Sequence, residues 1–444
     1  MPSAQNGVFA DTPDRFAAAP DTAAPAPEDW VASFDDPDLM ALVREALDAN
    51  PTVAAALAGF ESARASARSA GAARLPGLDA AFDASERDAP AGSVTTFGLR
   101  LDASWQADIW GRLTDQARAG ALSAEAARAD WYGARLTITA NVARAWYALA
   151  EAQLQTELAR RDVETRARQL EIVERRFARG VVRSSDVRTG RSSLASSRAA
   201  LAARARAEAA ASRNLETLLG RYPADALRTQ NGLPAIGLAP DPGAPRDLLE
   251  RRPDIVAAAT RLEAAGFSAN AARKAMYPGL SLRASIADQA SNIEDVFDGR
   301  DLIRTVSASI LAPVFRGGAL RAERDRAAAL AEQRAADLVN TSLTALREVE
   351  NALDADRRLA ERVDALEIAA AEAQAALDLL ERQYASGVAT IFELIDAQTR
   401  LISAQGQYIS ARRERIDNRI GLHLAIAGDF TAGGGITGAP QGRE

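Results

Sequence analysis

Glu393 and Asp396 stand three residues apart in the stretch YASGVATIFELIDAQTRL, residues 384–401, and Asp186 stands alone in the comparable stretch FARGVVRSSDVRTGRSSL, residues 177–194. On a helix two acids at this spacing share a face. Acid–base catalysis would need a nucleophile or a base beside them, and neither stretch supplies one. Acids repeated by symmetry about an axis can instead form charged rings that attract cations and repel anions. Mutual repulsion in such rings is expected to raise some of their pKa values. An equally good reading of Asp186 or Glu393 taken singly is a first-turn acid favoured by the helix dipole. A second pair, Glu348 and Glu350, offers a carboxylate hydrolase in principle, but residues two apart on a helix face different directions.

Composition closes most other chemistry. The chain has no cysteine, which excludes disulfides, zinc–thiolate sites and thiol nucleophiles. His423 is its only histidine, expected to be a packing or surface residue, so no histidine-based metal site or triad can be built. No metal, cofactor or catalytic residue is therefore expected. Lys274 is the only lysine, which reads as a coding bias towards arginine. With a formal charge of −7 and arginines dispersed among acids, nothing points to nucleic acid. No run of about 18 apolar residues is present, so no helix is expected to span a bilayer. The start, MPSAQNGVFADTP, has neither a charged n-region nor an apolar h-region, and any signal peptide is expected to have been removed already.

The elements that must position the acids are long helices. The 18 prolines leave two gaps, residues 91–222 and 314–439. Such gaps permit very long helices, because an interior proline removes a hydrogen bond and clashes with the preceding turn. Both gaps are rich in Ala, Arg, Leu, Glu and Gln, which favour helix. Leu359, Val363, Leu366, Ala370, Ala373, Leu377, Leu380 and Tyr384 recur at spacings of four and three, the period of a coiled-coil seam. Beyond them Ile395, Ile402, Ile409 and Ile416 form one row and Leu394, Leu401 and Tyr408 another, enough for more than one neighbouring helix.

The chain is a tandem duplication. ERRFARGV at 174–181 matches ERQYASGV at 381–388, and Gly111 matches Gly318, at one common offset. Upstream, Asn50-Pro51 matches Arg252-Pro253 and Leu75-Pro76 matches Tyr277-Pro278 at an offset five residues shorter. Each half reads as a proline-started helix, two extended segments, a helix of up to roughly 100 Å, a turn and a shorter helix. Asn50 is expected to cap the proline-started helix of the first half. The expected organisation is an extended segment 1–36, a first repeat 37–220, a Pro/Gly-rich linker 221–246, a second repeat 247–428 and a tail 429–444. Within the first repeat a short helix is followed by a β-hairpin at 78–106, a long helix at 112–178 and a helix at 184–219. Within the second a helix is followed by strands at 280–290 and 305–313, a long helix at 319–385 and a helix at 391–427.

The extended segments alternate. Thr95, Phe97, Leu99, Leu101, Ala103 and Trp105 share one face while Thr96, Gly98, Arg100, Asp102, Ser104 and Gln106 share the other. Such runs suit tilted strands crossing a bilayer, and equally a small soluble sheet with one wet face. Four strands cannot close a membrane barrel alone, so the membrane reading requires several copies, and three would supply twelve strands. Trp105 and Trp110 fit an interfacial aromatic belt or packing at a strand-to-helix junction, where Gly111, Gly318 and Pro313 also fall.

Five motifs carry a family resemblance: WVASFDDPDLMALVREALDAN (30–50), SWQADIWGRL (104–113), DLLERRPDIVAAA (247–259), REVENAL (347–353) and the paired turns. With the duplication, they resemble the TolC-type outer-membrane channels, in particular the NodT-like outer-membrane factors of multidrug efflux systems. The resemblance implies a mainly α fold with a small β part, in which four strands per chain join a trimeric 12-stranded outer-membrane barrel continued by a periplasmic helical barrel. It implies a homotrimer in the outer membrane of a Gram-negative bacterium, contacting outer-membrane lipid. The implied partners are a periplasmic adaptor and an inner-membrane pump of RND or ABC type, with no enzymatic activity. It makes Glu393 and Asp396 acids of the constriction, Asp186 the acid of the first turn, and Tyr384 a residue that holds the closed tip. Gly180, Val181, Arg183, Ser184, Gly387, Val388 and Thr390 become the tip turns that dock the adaptor, with Ser184, Ser185, Asp186 or Thr390 capping the returning helices. The family prototype has an arginine two residues after the second turn glycine, where this chain has Ala389, leaving Arg183 or Arg188 to substitute. Two other family features, a lipidated N-terminal cysteine and a GGGW-type ending, are not found in this sequence. The competing reading is a periplasmic coiled-coil scaffold or adaptor without a pore, which the duplication disfavours.

Overall fold

The computed structural model describes residues 12–25, 29–90, 92–298 and 302–426. The tail 429–444 and residues 1–11 lie outside the described residues. The chain folds as helices α1 (Pro37–Ala49) and α2 (Pro51–Ala72), strands β1 (Gly77–Ala89) and β2 (Gly92–Ala107), and helices α3 (Arg112–Ala178) and α4 (Ser184–Leu218). The second half repeats this order with α5 (Pro245–Arg251), α6 (Pro253–Lys274), β3 (Gly279–Ala290), β4 (Ile303–Leu311), α7 (Ala319–Ser386) and α8 (Ile391–Ile426). It is a mainly α fold with a small antiparallel sheet. The fourth strand stops at Leu311, so Pro313 lies beyond it, where a missing N–H breaks no ladder.

Two compact units divide the chain, and they cut across the two repeats. One holds Ala56–Trp131 and Asp254–Thr341; the other holds the described residues up to Ala55, Tyr132–Pro253 and the residues from Ser342 onwards.

The first unit contains the sheet, with strand order β1-β2-β3-β4 and every neighbour antiparallel. Its helices pack through small side chains: Ala124, Ala126, Ala129, Ala264, Ala265, Ala271 and Ala331 are all buried. At Gly120 a Cβ would sit 3.3 Å from Ala70 Cβ, so α2 and α3 touch almost backbone to backbone. Phe60 stacks on Trp131 with ring centroids 6.4 Å apart.

The second unit has a larger apolar core, joining Leu39, Val43 and Leu47 of α1 to Val142, Trp146 and Tyr147 of α3, Leu215 of α4, and Ile416 and Ile420 of α8. Asp36 does two jobs at its edge. One oxygen caps α1 by accepting the Asp38 and Leu39 amides at 3.1 Å, and the other accepts Trp146 Nε1–H at 2.8 Å. Asn50 caps α2 as its sequence position predicts, its Oδ1 accepting the Thr52 amide at 2.8 Å. The seam residues Val363, Leu377 and Tyr384 are buried, as are Leu394 and Leu401 of the second row.

The linker between the repeats is held by arginines of α8. Arg412 donates to the Leu233 carbonyl, while Arg419 donates to the carbonyls of Gly237 (3.0 Å) and Leu238 (2.7 Å) and makes a buried bidentate pair with Asp356. The N-terminal segment follows this surface, with a bridge between Ala24 and Pro240 and with Phe16 buried.

Candidate functional site

The two helix-to-helix turns of the second unit are built alike. In the first, the Gly180 amide donates to Phe177 O (2.8 Å) and the Val181 amide to Arg176 O (3.0 Å); in the second, Gly387 donates to Tyr384 O (3.2 Å) and Val388 to Gln383 O (2.9 Å). These paired bonds satisfy the last carbonyls of α3 and α7, and they require a left-handed residue between. Glycine adopts that conformation without a Cβ penalty. Gly180 (φ 74) and Gly387 (φ 83) fill the place in the two turns.

The returning helices are capped differently. Glu393 accepts from the Thr390 amide at 2.6 Å. It also accepts from the Thr390 hydroxyl at 2.8 Å. The Glu393 amide donates back to that hydroxyl at 3.3 Å. Together these bonds close a capping box. In the first turn Asp186 accepts the Arg183 amide at 3.1 Å. Arginine, however, has no acceptor with which to return the bond. Asp186 and Thr390 are thus the capping residues, rather than Ser184 or Ser185. Asp396 pairs with Arg400 one turn along at 2.8 Å. Within this chain the Thr390 amide and hydroxyl hold the Glu393 carboxyl below the usual range.

An apolar cluster under both turns gathers Val173, Val187, Leu377, Tyr384, Ile391, Leu394, Ala397 and Leu401. The contact that bridges them comes from a residue the sequence reading missed. Arg176 of α3 donates to the carbonyls of Tyr384 and Ala385, both at 3.2 Å, and its guanidinium lies 4.6 Å from the Tyr384 ring centre. The helix-terminal carbonyls and the ring face both favour a cation there. Neither Arg183 nor Arg188 takes this role. The signal was present in the duplication, because Arg176 aligns with Gln383: the first repeat has a charge where the second does not. Among the described residues the buried Tyr384 hydroxyl has no hydrogen-bond partner, so the ring, rather than the O–H, makes the contact with Arg176. Around the turns Phe177, Val181, Val388 and Phe392 remain exposed.

In the first unit the strand-to-helix junction is the second constructed feature. Lys274, the sole lysine, donates to buried Asp115 Oδ2 at 2.6 Å and to the Gly111 carbonyl at 3.3 Å. It is a structural counter-ion, more than a by-product of coding bias. Gly111 has a left-handed backbone, and a Cβ there would lie 3.3 Å from Lys274 Nζ. Gly318, the matching position, is left-handed too. Trp105 Nε1–H donates to Arg74 O (2.8 Å) and Trp110 Nε1–H to Pro278 O (2.7 Å). Both rings are exposed, so they are junction residues outside the core.

The sheet has one largely apolar face, interrupted by Asp288 and Arg304. The registered rows Leu78/Ala103/Ala284/Val306, Ala80/Leu101/Ile286/Arg304 and Trp105/Leu282/Ala308 lie on it. The alternate rows Asp79/Asp102/Ser285/Thr305 and Ser104/Arg283/Ser307 are polar, while the row Ala81/Arg100/Ala287/Ile303 is mixed. A soluble sheet would cover its apolar face. Here Leu78, Val306 and Ile310 are 67%, 85% and 73% exposed.

Both hydrolase candidates are occupied elsewhere. Glu350 accepts the Ala17 and Ala18 amides (2.7 and 2.8 Å), clasping the N-terminal segment, and Glu348 pairs with Arg252 at 2.8 Å. Arg252 also donates to Ala425 O at 3.0 Å, so the RRPDI and REVENAL motifs meet at one contact with the end of α8. His423 is buried and stacked on Trp30, and burial, then the charge of Arg419, push its pKa down to about 4. Among the described residues no cluster of three metal-ligating side chains occurs.

The sequence model of the outer membrane efflux protein family matches residues 42–221 and 244–428. The chain belongs to that family. It is similar to the pyoverdine export outer membrane protein OpmQ of Pseudomonas aeruginosa, 32% identical over 445 residues that cover 96% of this chain and 92% of that protein. It is also similar to the outer membrane protein OprJ of the same species, 31% identical over 432 residues, covering 94% and 89%. Its fold matches the MtrE outer membrane channel of Neisseria gonorrhoeae in its open state, with a TM-score of 0.83 and 26% identity over 94% of this chain and 96% of that one. As an outer membrane efflux protein it resides in the outer membrane of a Gram-negative bacterium and is a transport protein with no enzymatic activity.

Proposed function

We propose that the chain assembles as a homotrimer whose three sheets close a twelve-stranded barrel in the outer membrane. Its helices continue the barrel into the periplasm as the exit duct of a tripartite efflux system. Substrates pass through passively, delivered by an inner-membrane pump of the RND or ABC type through a periplasmic adaptor, and the duct is gated at the two helix-to-helix turns.

The observation that carries this reading is the sheet. Its strands are 13, 16, 12 and 9 residues long. Those lengths match what a tilted strand needs to cross a bilayer. Its lipid-compatible face is uncovered, and β1 and β4 are free edges. Open edges are not tolerated in hydrocarbon. An even number of alternating strands lets β4 of one copy pair antiparallel with β1 of the next, so identical copies can close the ring. At the turns, exposed Val181, Val388, Phe177 and Phe392 fit the docking of an apolar adaptor tip. Glu393 and Asp396, and Asp186 in the first turn, supply the charge of the constriction.

The protein purified in detergent should be a trimer by light scattering and should give cation-preferring conductances in a planar bilayer. Replacing Glu393 and Asp396 together with Gln and Asn should shift the reversal potential in a salt gradient towards zero. A water-soluble monomer, or the absence of conductance from every variant, would sink the reading.

A further inference from the structure

We propose that the cavity at the foot of β2 and β3 is an anion-binding station on the wall of the duct, taking an oxyanion carried on an aromatic or apolar body. The inference rests on the trimeric duct proposed above for where the cavity faces. The binding chemistry belongs to the first unit alone.

The cavity encloses about 290 Å³ between the ends of the strands, the start of α3 and α7 and the end of α6. Its strand residues identify its side. Apart from Ala107, the last residue of β2, they lie on the polar face: Gln106 registers with Ser281 and Gly279 with Leu311, continuing the alternation of Ser104/Arg283/Ser307. In a ring closed with its apolar face towards lipid, that side is the lumen.

Three cations line the cavity, Arg112, Lys274 and Arg316, against one acid, Asp108. Asp108 is already engaged, its two oxygens accepting the Leu113 and Thr114 amides at 2.8 and 2.7 Å. Lys274 spends two of its three N–H groups on Asp115 and the Gly111 carbonyl. Arg112 donates to neutral amide oxygens, those of Gln106 at 3.0 Å and Gln116 at 3.3 Å. The Arg316 side chain has neither a hydrogen bond nor an ion pair among the described residues. Two guanidiniums therefore lack an acid in a cavity whose own acid is satisfied. An oxyanion completes such a group best, because it accepts two parallel N–H bonds from the planar fork.

The body of the ligand has an aromatic wall to lie on. The ring centroids of Trp110 and Tyr277 are 5.3 Å apart, and Trp110 Nε1–H is pinned to Pro278 O at 2.7 Å. Each ring is about half exposed, 49% and 47%, which leaves surface for a guest. Sites for small molecules combine such a wall with a few converging polar groups.

The pair of guanidiniums is made jointly by the two repeats. At the offset of the turns Arg112 matches Ala319 and Arg316 matches Ile109, so each repeat adds a charge where the other has an apolar residue. Three copies repeat the pair around the lumen, and rings of arginine favour anions in pores. The acids of the turns favour cations, so the duct carries opposite preferences along its length. The station holds amphiphilic anions among the exported molecules once they are past the acidic turns.

Phenyl phosphate is the probe, titrated calorimetrically at low salt into the full chain in non-ionic detergent. It should bind saturably and more weakly as salt is raised. Inorganic phosphate, without the ring, should bind severalfold more weakly. Arg316→Gln gives up no side-chain contact among the described residues and should weaken phenyl phosphate severalfold; adding Arg112→Gln should bring the loss to about tenfold or more. In planar bilayers phenyl phosphate should reduce the current through the parent and spare the double variant. No saturable binding, binding that survives both substitutions, or equal binding of inorganic phosphate overturns the site while the duct stands. Binding with no effect on a conducting parent overturns the luminal placement. A parent that neither trimerises nor conducts overturns the duct, and the calorimetry still decides the site. Should the double variant lose its helical circular dichroism, Arg316→Gln decides alone.

Discussion

Replacing Arg176 with glutamine should release the second turn from the first and favour the open duct. The guanidinium makes two hydrogen bonds to helix-terminal carbonyls at 3.2 Å and lies 4.6 Å from the Tyr384 ring centre. Bonds of that length are at the long end of the normal range. Each stabilises by about 1 kcal/mol or less, and a half-exposed cation over a ring adds about 0.5 kcal/mol. Glutamine retains at most one of the bonds, so the loss is about 1.5 kcal/mol per chain, or roughly a tenfold shift between closed and open for each chain. Tyr384→Phe provides the contrast. The hydroxyl is buried and has no partner among the described residues. With no hydrogen bond to lose, its removal should leave the equilibrium unchanged to within about 0.5 kcal/mol. Single-channel recording in planar bilayers reads both. Arg176→Gln should raise the open occupancy severalfold, and Tyr384→Phe should leave it unchanged. If Tyr384→Phe opened the channel as readily as Arg176→Gln, the hydroxyl would be the latch and the reasoning from Arg176 would fail.

Two further outcomes follow from buried groups. His423 has a folded pKa of about 4 against 6.5 unfolded, so between those values the unfolded chain takes up a proton that the folded chain refuses. Its contribution is complete above about pH 6.5 and declines as the pH falls, reaching a loss of about 2 kcal/mol at about pH 5. His423→Phe, which retains a ring against Trp30, should narrow the difference in melting temperature between pH 7 and pH 5, and an unchanged difference would contradict the assignment. Lys274→Met leaves Asp115 buried and without its cation. That should destabilise the chain by about 3 kcal/mol. Lys274→Met with Asp115→Leu should recover most of that in a thermal melt, and failure to recover would show that Lys274 acts through something other than this pair.

Helix extent was the most legible part of the sequence, because proline gaps and a sustained 3.5-residue seam leave few alternatives for Leu359 to Tyr384. The helices starting at Arg112 and Ala319, and at Ser184 and Ile391, keep the offset read from the two turns, so the duplication sets the elements as well as the motifs. Strand faces were legible for the same reason, since alternation fixes which side chains share a face. Side-chain partners were not. Nothing in the local sequence says that Glu350 holds backbone amides 333 residues away, or that the sole lysine neutralises Asp115. Lone acids have several local uses, and at Glu393 the backbone competes for the carboxylate before any symmetry-related copy can.

Within their matched turns the two repeats differ at several positions. Arg176 faces Gln383 in the alignment, Phe177 faces Tyr384 and Arg183 faces Thr390. Each exchange has a local physical meaning: Thr390 can complete a capping box that Arg183 cannot, so the second returning helix starts with the fuller set of bonds. Arg176 is a cation at the end of α3 that serves the carbonyls at the end of α7. The first turn therefore supplies the bridging charge and the second supplies the surface that receives it. A symmetric pair of turns would put like charges against each other or leave both ends unserved. Breaking the Arg176 contact would leave the second turn's own glycine bonds and capping box intact.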